Sequence, residues 1–217
     1  AYNPKSRRSY VSQAALQQRA ATRSGVAAGR FSDPGLAYQW HYTNSGNNAF
    51  DKTNSTGETL AGSIAGCDVG CYEAWQKCTG DPSVIVAVLD DGVMYTHPDL
   101  AGNIWVNDKE ELYAGTDADG NGYKDDRYGY NFVHNTAAIS WTDVSDIGHG
   151  THVSGTIAAM NNGYGVCGIA GGDGTKDSGV KIMICQVFAG ENSVSLNGEA
   201  QAIKYAAHTG AVILQCS

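Results

Sequence analysis

The sequence predicts an α/β fold: a doubly wound, mostly parallel sheet with flanking helices. Three observations carry that expectation. Val84 to Leu89 is apolar at every position, and Val180 to Phe188 and Ala211 to Cys216 are two further runs of largely the same kind. Strands apolar on both faces are covered on both sides, as parallel strands are. The segments between them carry helical spacing, and strands alternating with helices give this architecture.

In chain order, residues 1–30 show only a weak helical stretch near Val11 to Ala21. They read as a flexible leader or linker ahead of a domain over 31–217. Phe31 to Gly35 is a turn, Tyr38 to Trp40 opens a packed aromatic segment, and Thr43 to Gly57 has the composition of a surface loop. A short helix fits Tyr72 to Lys77, ahead of the Gly80-Asp81-Pro82 turn. After the first apolar strand, His149 to Met160 places Val153, Ile157 and Met160 on one helical stripe. Asn197 to His208 is a second helix, with Ala200, Ile203 and Ala207 inward and Gly210 as its stop.

Composition narrows the function classes. The 217 residues are 42% apolar and 17% charged, with 28 glycines and 4 prolines, which suits a loop-rich globular enzyme and not a collagen or a disordered chain. Residues 1–30 hold six basic side chains and no acidic one. The other 187 therefore hold 8 basic and 22 acidic groups, a net of −14 within an overall −8. An acidic body repels phosphate backbones, so no nucleic-acid partner is expected, and cations suit it better. No apolar run approaches the roughly 18 residues of a membrane-crossing helix. The chain opens at Ala1 without Met, which fits removal of an export signal. Cys67, Cys71 and Cys78 lie close together, as for one local disulfide or, with a ligand missing, a zinc site. Cys167, Cys185 and Cys216 sit in apolar segments and read as buried thiols.

Two positions point to chemistry. Asp90 directly follows a buried strand, where such sheets put reacting groups, although a strand-end carboxylate capping a turn fits equally. Asp91 is expected to point the other way along an extended chain. His149, in Gly148-His149-Gly150-Thr151-His152-Val153, stands between glycines at a helix start. His149 and His152 could pair on a metal, but the third ligand of a zinc-hydrolase helix is missing, so a reacting histidine followed by a packed one fits better.

Val-Ala-Val-Leu-Asp-Asp-Gly-Val with His97-Pro98-Asp99-Leu100, followed by His-Gly-Thr-His-Val-Ser-Gly-Thr, resembles the aspartate and histidine signatures of the subtilase family of serine proteases. The likeness runs over roughly residues 33–217 and makes 1–30 look like a propeptide remnant or linker. It implies an incomplete subtilisin-like fold and an endopeptidase acting through an Asp-His-Ser triad. Asp90 would orient His149, and His149 would serve as general base and then acid. The family's Gly-Thr-Ser nucleophile motif does not occur in the sequence. The resemblance therefore implies a parent protease whose serine lies elsewhere, and 217 residues that are inactive alone, unstable, or paired with the remainder of the domain. It places Ala189, Gly190, Glu191, Asn192 and Ser217 along a cleft where substrate backbone adds as a strand. It further implies a secreted, periplasmic or cell-surface protein. The alternatives are a non-catalytic scaffold of the same fold and a different hydrolase or calcium-dependent structural module.

Asp117 to Asp126 is the second strong feature. Oxygen-bearing residues at positions 1, 3, 5 and 9, with Gly at 6, repeat the front of an EF-hand loop. Position 12 is Tyr128, so Asp125 or Asp126 must complete the shell. The candidate Ca²⁺ ligands are Asp117, Asp119, Asn121, Tyr123, Asp125 and Asp126, against a solvated acidic turn as the plainer reading. Many subtilases resemble this Asp-Gly-Asn-Gly insertion before an aromatic strand, here Tyr128 to Phe132.

Overall fold

The computed structural model describes residues 31–44, 46, 64–144 and 146–217. The weak helix near Val11 to Ala21 and most of the expected loop at Thr43 to Gly57 lie outside them. The chain divides into two compact units, residues 1–30 with 37–77, and residues 31–36 with 78–217.

In the first unit, a short helix α1 (Cys71–Trp75) buries Trp75 against the buried ring of Tyr42, centroids 5.5 Å apart and edge to face. Asp68 ties this unit locally, accepting the N–H groups of Asn44 and Gly70 at 2.9 Å each. Cys67 and Cys71 are free thiols here, as is Cys78 in the second unit. Cys71 is buried, and that burial pushes its pKa up to about 12, with the charge of Glu73 adding to it.

The second unit holds a four-stranded parallel sheet in the order β2-β3-β1-β6. Its strands are β1 (Ile85–Asp90), β2 (Gly129–Asn131), β3 (Lys181–Gln186) and β6 (Ile213–Cys216). A small antiparallel pair, β4 (Phe188–Ala189) and β5 (Asn192–Ser193), lies just past β3. Strand alternation sorts the core onto two faces. Val86 and Val88 join Ile182 and Ile184 on the face covered by α2 (His149–Ala158). Ala87 and Leu89 join Met183 and Cys185 on the face covered by α3 (Leu196–His208). Asp90 continues the Val86-Val88 series, so it ends on the face of the α2 helix. At Gly129, with φ 122°, an added Cβ would sit 1.9 Å from the Ile184 carbonyl oxygen, so β2 approaches β3 closely enough to exclude any side chain there.

Three expectations about the helices and the last strand change. Helix α2 ends at Ala158, and its fully buried stripe is Gly150, Ser154 and Ala158. These small residues let it lie close on β1, with Val153 and Ile157 only partly covered. Helix α3 is rotated from its expected face: Ala202, Tyr205 and Ala206 are buried, while Ala200, Ile203 and Ala207 face solvent. Tyr205 sets that rotation, because its ring joins Tyr123 and Phe132 while its hydroxyl donates to Asp126 at 2.7 Å. Strand β6 is exposed at Ile213 and at Cys216, so Cys216 is no buried thiol. It has β1 on one side and, among the described residues, no strand on the other.

Candidate functional site

Asp90 and His149 meet at the carboxyl end of β1. Asp90 is buried, and its two oxygens lie 2.8 and 3.0 Å from His149 Nδ1. With Asp90 ionised, Nδ1–H donates to it and the Nε2 edge carries the lone pair. The histidine side chain is 48% exposed, so that edge can meet a reactant. The hydrogen bond to Asp90 raises the pKa of His149 above the ordinary imidazole value. The charge of Asp90 and then that of Asp91 add to the rise, and burial opposes it slightly.

Asp91 does not point away from this site. β1 ends at Asp90, so strand alternation no longer applies. The Asp91 carboxylate turns back to accept the N–H groups of Gly150 (2.6 Å) and His149 (3.1 Å). His152, one turn on, is exposed and away from the dyad. Gln186, opposite Asp90 in register, was not singled out by sequence. Fully buried, it accepts the Ser140 N–H at 3.0 Å and donates to Ser140 Oγ and the Phe188 carbonyl. It thus pins the segment before α2 to the end of β3.

The expected substrate-pairing segment is a tight hairpin. Ala189 is buried and pairs with Asn192, and Gly190, at φ 59°, takes the left-handed conformation that a two-residue turn requires. The Gly190 N–H already donates to Asp146, while Glu191 and Asn192 are exposed. Ser217 lies beyond β6, exposed, accepting from Gln215.

The acidic loop is built on a residue that sequence reasoning missed. Carboxylate oxygens of Glu110, Asp119 and Asp126 lie within 4.8 Å of one another. Glu110 is fully buried and accepts the N–H groups of Ala118, Asp119 and Asp125, so it holds the loop from beneath. Asn107 donates to both Asp119 and Asp126, and Asn121 donates to Asp126 at 2.8 Å. Burial pushes the Asp126 pKa up, although hydrogen bonds from Tyr205 and Asn121 counter this. The other candidates are also engaged within the loop, and Asp117 shares the Asn121 N–H with Asp119. Asp117 accepts the Asn121 and Gly122 N–H groups, Asp125 accepts those of Gly115 and Thr116, and the Tyr123 ring packs on Tyr130, Phe132 and Tyr205.

Two further buried carboxylates are not singled out by the sequence. Asp33 accepts the N–H groups of Asn162 and Gly163, and Asp99 accepts that of Val166, so both grip the loop of residues 161–166. Asp33 Oδ2, Asp99 Oδ1 and Asn161 Oδ1 are buried with no hydrogen-bond partner among the described residues. Burial raises the pKa of Asp99, and the charge of Asp33 adds to it.

Residues 81–217 match the family described as Peptidase S8, the subtilase family. The chain belongs to that family. It is 46% identical over 106 residues to Subtilisin-like protease 1 of Plasmodium vivax, covering 48% of this chain and 15% of that protein. It is 33% identical over 132 residues to the Aeromonas extracellular serine protease of Aeromonas sobria, covering 61% and 16%. Among solved structures, the Aeromonas sobria serine protease in complex with its chaperone superposes with a TM-score of 0.55 at 28% identity. That match covers 81% of this chain and 23% of the protease. The chain thus spans about a sixth of the length of these two sequence relatives, and its parallel sheet with flanking helices is a partial subtilase fold. No helix among the described residues is long and apolar enough to cross a membrane.

Proposed function

We propose that this subtilase chain supplies the aspartate and histidine of a serine endopeptidase, with the serine coming from polypeptide outside these 217 residues. The observation that carries this reading is the Asp90 carboxylate on His149 Nδ1, at 2.8 and 3.0 Å, with the far edge of the ring open. An ionised, buried Asp90 holds the Nδ1–H tautomer and stabilises the imidazolium that forms when Nε2 takes a hydroxyl proton. Nε2 then returns that proton to the departing amine. The substrate is an extended peptide, bound near the β4–β5 hairpin and Ser217. The extracellular relative supports placing the whole protein outside the cytoplasm, and residues 1–30 are read as a propeptide remnant or a flexible linker.

The test is labelling of the whole protein by a fluorophosphonate probe. Stoichiometric labelling of one serine, abolished by His149→Ala, is expected. Labelling unaffected by that change, or none in the wild type, refutes the reading in favour of a non-catalytic scaffold.

Calcium belongs to the same proposal as a stabilising ion. Glu110, Asp119 and Asp126 would hold the ion. Bound there, Ca²⁺ neutralises crowded carboxylates and takes no part in proton transfer. At saturating Ca²⁺ the linkage gain is on the order of 3 kcal/mol, which corresponds to roughly 5–10 °C in Tm. EDTA is expected to lower Tm by that amount. An unchanged Tm, with no heat of Ca²⁺ binding by calorimetry, removes this site.

A further inference from the structure

We propose that Asp91 is a positioning residue for His149, capping the histidine helix from the end of β1 so that the ring is set on Asp90. The proposal rests on the triad reading above.

Helix α2 has no cap of its own. The residue before it, Gly148, has no side chain and sits at φ 72°. The first N–H groups of a helix have no partner within it. Asp91, 58 and 59 residues earlier in the chain, supplies an acceptor to two of them, one oxygen for His149 and one for Gly150. A carboxylate at that end also meets the positive pole of the helix dipole. Two bonds to consecutive amides fix the orientation of the first peptide planes, and so the direction in which the Cα–Cβ bond of His149 leaves the backbone.

The neighbours make this placement specific. Asp90 accepts the Asp91 N–H at 2.8 Å, so adjacent aspartates address one histidine, the first through its ring and the second through its backbone. A Cβ on Gly150 would lie 2.3 Å from the Gly92 carbonyl oxygen and 3.0 Å from Asp90 Cβ, so strand end and helix start are in contact. Met94 N–H donates to Thr151 Oγ1 at 3.0 Å, a third tie between the same two segments. The charged groups facing Asp91 are Asp90 on β1, His149 on α2 and Asp146 on the loop before α2. A shorter or single-acceptor side chain can serve only one of the two amides, whereas a carboxylate serves both.

The chemistry needs that precision. A small displacement of a catalytic group costs roughly 10²-fold in rate, because the reacting atoms leave their productive separation. Asp91→Ala removes both acceptors, and Asp91→Asn keeps one while removing the charge. In the whole protein, acting on a peptide substrate, Asp91→Ala is expected to lower kcat by roughly 10- to 100-fold and leave KM within about twofold. Asp91→Asn is expected to restore much of that loss. Both variants lose a negative charge near the ring, so the acid limb of the pH–rate profile moves to lower pH in both.

A purely structural cap would lower Tm and leave kcat intact well below the melting range. That result, or equal kcat in all three proteins, overturns the proposal. Should Asp91→Ala not fold, an intermediate kcat in Asp91→Asn supports it, and a wild-type kcat there overturns it. Should the wild type hydrolyse no peptide, the triad reading fails separately. The downfield His149 Nδ1–H proton resonance then decides: its loss in Asp91→Ala and retention in Asp91→Asn supports the positioning role, and its persistence in both refutes it.

Discussion

Replacing Asp90 by Asn in the whole protein is expected to lower kcat on the order of 10⁴-fold, through the wrong histidine tautomer. The amide keeps the shape of the side chain but presents an N–H₂ group or a neutral oxygen to Nδ1. The imidazole tautomer is then no longer fixed, and the forming imidazolium loses its counter-charge. The pH dependence adds a second measurement. A general base works only when unprotonated, and His149 has its pKa raised, first through the hydrogen bond to Asp90. Wild-type kcat/KM should therefore fall with an inflection above the ordinary histidine value of about 6.5. Without the Asp90 charge that inflection should move down. Stability runs with the opposite sign. The pair stabilises the fold fully below the unfolded histidine pKa, and that contribution is lost as pH rises through the raised folded value. Because the ring is half exposed, the stability effect is small beside the kinetic one. Stopped-flow or steady-state rates from pH 5 to 9 on both proteins check the claim.

Replacing Glu110 by Ala should produce the largest loss of stability. Three backbone N–H groups, those of Ala118, Asp119 and Asp125, give up their shared acceptor in a fully buried position. The Asp125 N–H keeps the Thr116 carbonyl, so two donors are orphaned; at about 1–3 kcal/mol each, a total above about 2 kcal/mol is expected even where solvent partly repairs the gap. The loop would then release Asp119, and Asp126 would remain held chiefly by Tyr205, Asn107 and Asn121. Calcium affinity should fall together with stability. Urea unfolding of the wild type, Glu110→Gln and Glu110→Ala is the measurement, and Gln should fall between the other two because it keeps an acceptor oxygen. An Ala variant as stable as the wild type would show that Glu110 does not hold the loop.

The sheet was legible because β1 and β3 bury both faces, and a two-sided apolar run leaves few other readings. Asp90 followed from the end of such a run, and His149 from a motif whose glycines place it at a helix start. What escaped depends on partners distant in sequence. Glu110 stands beside Glu111 and looks like ordinary surface charge, until three amides from residues 118 to 125 fold over it. The face of α3 is set by Tyr205, whose polar hydroxyl is satisfied by Asp126, so the ring goes inward. Asp91 lies one residue beyond the end of β1, where strand alternation no longer sets the direction of a side chain. Asp33 and Asp99, 66 positions apart in the sequence, share a loop that neither predicts.

The contact between Asp90 and His149 joins residues 59 positions apart. Closing a loop of that length costs roughly 3–4 kcal/mol of chain entropy, which one half-exposed hydrogen bond cannot offset. The dyad can therefore form only after β1 has been buried between its neighbours and α2 has docked on the same face. A partly unfolded chain carries both side chains without the hydrogen bond that joins them, so that one contact reports whether α2 has docked against β1.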